Sequence, residues 1–216
     1  IVSSMEHNAV MRPLTQLAAA GVTFSRAQCA PEGTLDAAEV ERLICPQTRA
    51  VVMTHASNVY GTILPVCEVG AICRRHGIPL VIDAAQTAGV VPISMEECGA
   101  AAICFTGHKG LLGPQGIGGC VLDPEFATQI DALVAGGTGS HSDSEQMPSF
   151  MPDRLEAGTP NLPGIAGLAA SLAWLGEKGI DAVRGHELAL TQRLLDGLRP
   201  LAAARRVRLA GLPGTD

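Results

Sequence analysis

Cys104-Phe-Thr-Gly-His-Lys-Gly-Leu-Leu-Gly-Pro-Gln-Gly116 is the stretch on which the reading of this chain turns. An apolar run from Ala101 to Phe105 ends on a hydroxyl, a histidine and a lysine, and a glycine-rich turn follows at once. Short apolar runs bounded by turn residues read as buried strands. Upstream, Pro79-Leu-Val-Ile-Asp-Ala-Ala-Gln86 repeats the arrangement: a strand from Pro79 to Ile82, then a carboxylate and an amide. Both polar clusters follow strand ends, where ligands bind in open α/β sheets.

Working outward, strands and helices alternate. Val2 to Ser4 reads as the end of a strand, and Ala9 to Ala20 as a helix stopped by Gly21, with Val10, Leu14, Leu17 and Ala18 on one face. Val22 to Cys29 suggests a short strand. Asp36 is an N-cap for a helix to about Ile44, with Glu39 as its capping-box partner. Ala50 to Thr54 reads as a buried strand with a Ser57-Asn58 turn after it. Pro65 opens a helix that carries Val69, Ile72 and Cys73 to a stop at Gly77. Ile117 to Leu122 is a further strand, and Gly136 to Pro152 a long functional loop. Helices over Leu162–Leu175 and Asp181–Leu198 flank Gly179, and Arg206 to Leu209 opens another strand. The pattern predicts an α/β fold: a mainly parallel sheet sandwiched by helices.

Composition agrees with a soluble enzyme domain. The chain has 216 residues, 47% hydrophobic and 17% charged, with net charge −6. That acidic balance argues against nucleic acid as partner. No apolar stretch has the length of a membrane span, and Ile1-Val-Ser-Ser-Met-Glu6 does not resemble a secretory leader. The seven cysteines include no Cys-x-x-Cys pair, so reduced thiols in a cytoplasmic protein are expected, with Cys73, Cys104 and Cys120 in the core.

Each polar residue has an ordinary explanation when taken alone. Lys109 is a solvated loop lysine, Asp83 a turn or helix cap, His7 a helix-start residue, Asn58 a turn former and Arg154 a surface arginine. Their joint occurrence after successive apolar strands changes that reading. A lysine beside phosphate-binding groups, with an acid placed to meet a pyridine nitrogen, is the set that pyridoxal 5'-phosphate (PLP) chemistry requires.

The quoted segments, together with Met5-Glu-His-Asn-Ala9, Ser57-Asn-Val-Tyr-Gly-Thr62 and Arg154-Leu-Glu-Ala-Gly-Thr-Pro-Asn161, resemble the class V aminotransferase branch of fold-type I PLP enzymes. Within it they are most similar to the cysteine desulfurases, in collinear order over nearly the whole chain. The resemblance implies that Lys109 holds PLP through a Schiff base and then moves the substrate Cα proton. It implies that Asp83 meets the ring nitrogen, that Gln86 and Asn58 lie near the ring hydroxyl, and that His7 stacks on one ring face with the small Ala85 on the other. Thr106 and His108 would bind the phosphate. Arg154, with Asn58, would grip the substrate carboxylate in a bidentate fork.

Two family elements are absent from this sequence. The Gly/Thr phosphate-binding turn is expected upstream of Ile1, and the loop carrying the nucleophilic cysteine beyond Asp216. The expected division is therefore a PLP-binding large domain over 1–200, with 201–216 starting a C-terminal small domain. The implied reaction converts L-cysteine to L-alanine, with sulfur passing to an enzyme cysteine outside this chain and on to an acceptor protein. The alternatives are a class V aminotransferase or related lyase acting on a small amino acid, and a non-catalytic fragment. A homodimer is implied, with the Gly136–His141 loop reaching the partner's phosphate site.

Overall fold

The computed structural model describes residues 1–215. In chain order the elements are β1 (Val2–Ser3), α1 (Asn8–Ala19), β2 (Arg26–Ala27), α2 (Ala37–Leu43), β3 (Val51–Thr54), α3 (Val66–His76) and β4 (Leu80–Asp83). There follow α4 (Met95–Cys98), β5 (Ala102–Thr106), β6 (Gly118–Leu122), α5 (Pro124–Ala127), α6 (Leu162–Lys178) and α7 (Ile180–Ala203). The six strands form one sheet in the order β2-β1-β3-β4-β5-β6. All neighbours are parallel except β5 and β6. The reversal has a simple cause: residues 107–117 hold no helix to carry the chain back for a parallel return.

β-branched residues favour the central strands, and alternation decides what each face does. Val51 and Met53 of β3, Leu80 and Ile82 of β4 and Ile103 of β5 point into one core, against Val40 of α2, Val66, Val69, Ile72 and Cys73 of α3, and Cys98 of α4. Each such fully buried aliphatic side chain contributes about 1.5–3 kcal/mol. The apolar spacing in α3 is the helical stripe the sequence predicts. Its stop is also as expected, since Gly77 adopts φ 63° and its N–H bonds the Arg74 carbonyl.

The opposite face of the sheet is less covered. Val52, Val81 and Cys104 are half-buried there and floor an open cavity, bordered by the first turn of α1. α1 itself has no buried residue: Val10 and Leu14 are half-buried, while Leu17 and Ala18 are exposed.

Several sequence expectations need correction. The strand at Val22–Cys29 shrinks to the two residues that pair with β1. Asp36 does cap α2, accepting the Ala38 N–H, but Glu39 turns to Arg42 instead of closing a capping box. Arg206–Leu209 forms no strand, because no neighbouring strand offers it a ladder. α7 runs on through residue 200 to Ala203, a helix end later than the Leu198 expected. Cys73 is buried as expected, yet Cys120 is exposed on the edge strand and Cys104 half-buried. Cys67 and Cys98 are joined in a disulfide between α3 and α4 and are not reduced thiols.

α3 and α4 approach so closely that only glycine fits at position 70. A Cβ there would lie 1.7 Å from the Cys98 carbonyl oxygen, and backbone cannot yield as a side chain can. Gly70→Ala is expected to cost about 2 kcal/mol or more, read as a lower denaturant midpoint with an unchanged slope.

Candidate active site

Four strand ends meet at one edge of the sheet, and each is fixed by its own local bonds. After β1, the Glu6 carboxylate accepts the Ser3 hydroxyl and the Thr54 backbone N–H, the latter at 3.0 Å. This clasp ties the β1–α1 turn to the end of β3 and presents His7. The His7 ring caps α1, with Nδ1 accepting the Ala9 N–H at 3.1 Å. In the neutral ring that leaves the proton on Nε2. Burial pushes the Glu6 carboxyl above its ordinary value. The hydrogen bonds from Ser3 and Thr54 oppose that shift, and the nearby Asp83 carboxylate adds to it.

After β3, His55 is buried and its Nδ1 lies 2.9 Å from the Thr87 hydroxyl. Burial, then the Arg184 charge, hold its pKa below the usual histidine range. The Ser57 hydroxyl accepts the N–H groups of Val59 and Tyr60, both at 3.2 Å, closing the turn that carries Asn58. After β4, Asp83 accepts the Ala85 N–H at 2.9 Å, and among the described residues no cation pairs with its carboxylate.

After β5, Thr106 Oγ1 and His108 Nδ1 are 2.7 Å apart. Whichever of the two donates, one O–H or ring N–H of the pair stays free for another acceptor. The glycine-rich turn is folded back by Gly107 N–H to Ile117 O (2.9 Å) and Gly113 N–H to Gly107 O (2.7 Å). α6 covers it with Leu168, while its cap residue Asn161 donates to the Gly116 carbonyl at 3.2 Å.

Two glycines draw the β4 and β5 loops together. A Cβ on Gly89 would lie 2.4 Å from the Gly110 carbonyl oxygen, and one on Gly110 would lie 2.6 Å from the Ala88 carbonyl oxygen. Gly89 also has φ +88°, which side-chain-bearing residues rarely adopt. The carboxylate and the lysine are thereby held across one opening.

The result is a cavity of about 540 Å³ lined by His7, Asn58, Asp83, Ala85, Gln86, Thr106, His108 and Lys109 over a floor of Val52, Val81 and Cys104. Eight of the nine site residues expected from sequence are thus brought together. Arg154 is not. It lies along a separate cavity with Cys120 and Phe150, held by the Asp131 carboxylate at 2.9 Å. Sequence reasoning missed Glu6, although an acid in the turn after a buried strand was a usable signal. It also missed the His55–Thr87 pair, which only the strand register reveals.

The cavity fits PLP. Its volume suits a small aromatic ligand, its half-buried carboxylate pairs with no cation among the described residues, and a hydroxyl and imidazole stand near a lysine at its rim.

Comparison with known proteins gives the class. The profile of the family described as Aminotransferase class-V matches residues 1–211, and the chain belongs to that family. The relatives narrow the likeness. The chain is 33% identical over 207 residues to a probable cysteine desulfurase of Halalkalibacterium halodurans, covering 93% of this chain and 50% of that protein. It is 34% identical over 205 residues to one of Pyrococcus abyssi, covering 93% and 51%. Among solved structures, the apo cysteine desulfurase from Thermococcus onnurineus NA1 superposes with a TM-score of 0.89 at 32% identity, over 99% of this chain and 53% of that one. The cystine C–S lyase C-DES, in complex with its product cysteine persulfide, matches with a TM-score of 0.82 at 26% identity, over 93% and 55%. The chain spans about half the length of the curated relatives it matches.

The Glu6 clasp makes a pH prediction. Its folded-state pKa is raised, so the carboxyl's contribution is fully present below its ordinary 4.5 and is lost as pH rises through the folded value. Glu6→Gln lacks that titration. Across a pH series of urea unfolding curves, the native protein should lose stability relative to Glu6→Gln as pH climbs past 4.5. A stability difference that stays flat with pH would remove the strained carboxylate from the account.

Proposed function

We propose that this chain is the cofactor-binding part of a PLP-dependent cysteine desulfurase. The observation that carries the reading is one cavity bringing Asp83 and Lys109 together with the Thr106–His108 pair. PLP, when bound, supplies an electron sink that stabilises negative charge at the substrate Cα. Everything else falls to the chain.

Asp83 offers its unpaired carboxylate to the ring N–H, which keeps that nitrogen protonated. Ala85, in the same wall, is small enough to leave room for a ring. His7 borders the cavity from the start of α1 with a proton held on Nε2. Thr106 and His108 present the remaining proton of their pair to a phosphate oxygen. Lys109 Nζ would hold the cofactor and would be the group that takes the proton from the substrate Cα. It is exposed at the rim, so covering the cavity is what excludes water from it. In the desulfurase reading the sulfur would then pass to an enzyme cysteine. In this reading the protein works in the cytoplasm as a homodimer and hands sulfur to an acceptor protein.

A second reading is favoured by the likeness to the C–S lyase. The same cavity would then support β-elimination, with no nucleophilic cysteine needed. Product analysis separates the two: alanine marks the desulfurase and pyruvate the lyase. Under either, Lys109→Ala should lower turnover of L-cysteine or cystine by roughly 10²–10⁴-fold. Turnover by Lys109→Ala at the parent rate would refute the assignment of this cavity.

A further inference from the structure

Cys104 and Cys120 face each other directly in the antiparallel β5–β6 ladder, and their sulfurs are 3.4 Å apart. Both are free thiols, separate from the Cys67–Cys98 disulfide. They stand between two openings. Cys104 lines the cavity above Asp83, its register partner in β4, while Cys120 lines the cavity that also holds Phe150 and Arg154. Cys120 is exposed on an edge strand, so a small reagent reaches it from solvent.

The geometry suits a covalent bridge. Directly opposed residues of an antiparallel pair have Cα atoms about 4.5–5.5 Å apart, within the roughly 4.4–6.8 Å a disulfide accommodates. Bringing the sulfurs into bonding distance takes side-chain rotation and a small movement of β6, which is bonded on one side only.

We propose that Cys104 and Cys120 form a reactive dithiol, a modification site that hydrogen peroxide closes to an intramolecular disulfide. The Cys120 thiolate attacks one peroxide oxygen; the O–O bond breaks, and hydroxide leaves and takes up a proton as water. Cys120 is then a sulfenic acid. The Cys104 sulfur attacks the Cys120 sulfur, the S–O bond breaks, and hydroxide departs with the Cys104 proton as a second water. Two electrons pass from the sulfurs to the peroxide. The division of roles follows the contact between the thiols: donation from Cys104 draws Cys120 down to about 7, while the same contact, with burial and the neighbouring Asp83, pushes Cys104 up. The thiolate needed for the first step therefore forms on the accessible member. This site rests on strand register and is independent of the cofactor reading.

The test is a hydrogen peroxide titration of the purified protein, followed by alkylation of remaining thiols and non-reducing peptide mapping. Digestion after Lys109 separates the two cysteines. The expected product links their peptides with the loss of two hydrogens and disappears on treatment with dithiothreitol. In Cys104→Ser the link is lost and Cys120 runs on to sulfinic acid; in Cys120→Ser, Cys104 stays alkylatable. Exposed Cys45 reports that oxidant has acted. Cys104 and Cys120 both alkylated after Cys45 is oxidised would overturn the proposal. So would over-oxidised Cys120 beside free Cys104 in the native protein. Because the link is read on the native protein, failure of either variant to fold leaves the test intact.

Discussion

The contact of Gly89 with Gly110 is the constraint on which the site depends. The β4 strand ends on an acid and the β5 strand on a lysine loop, and neither is useful unless the two loops sit across one opening. Backbone meets backbone there, at distances no Cβ tolerates. Strand pairing does the rest: Asp83 is opposite Cys104, and the Ala84 N–H bonds the Cys104 carbonyl at 2.8 Å, so the loops leave the sheet in step. The core on the far face holds β3, β4 and β5 rigid, while the near face stays open enough to admit a ligand.

Polar groups at this edge are placed at a cost that local bonds offset. Glu6 is mostly removed from water and close to the Asp83 carboxylate, yet backbone and hydroxyl donors hold it. His55 is kept neutral by burial and anchored to Thr87, which fixes the β3 end against the β4 loop. Neither residue lines the cavity; both set the backbone that does. Such an arrangement puts the desolvation cost on Glu6 and His55 in the scaffold and leaves the cavity's carboxylate available to a cationic partner.

Much of this was legible in the sequence, for identifiable reasons. Asp83 and Lys109 follow apolar runs whose length and β-branched content define strands, and polar residues at strand ends mark the ligand edge of an α/β sheet. Gly77 and Asp36 announced helix ends through conformational and capping preferences that act locally. What stayed hidden depends on distant partners. Arg154 is drawn off by Asp131, 23 residues away. The Cys104–Cys120 pair exists only because β6 runs antiparallel in one register. The Glu6 clasp spans 48 residues to Thr54, and no periodicity encodes it.

The central claim is that two clamped loops make one PLP site, and reduction of the cofactor-loaded protein with borohydride tests it most directly. Peptide mapping of the reduced protein should place the pyridoxyl adduct on Lys109, and Gly110→Ala, folded by circular dichroism, should lose most of it as the loops part. An adduct on another lysine, or full labelling of Lys109 in Gly110→Ala, would contradict the account.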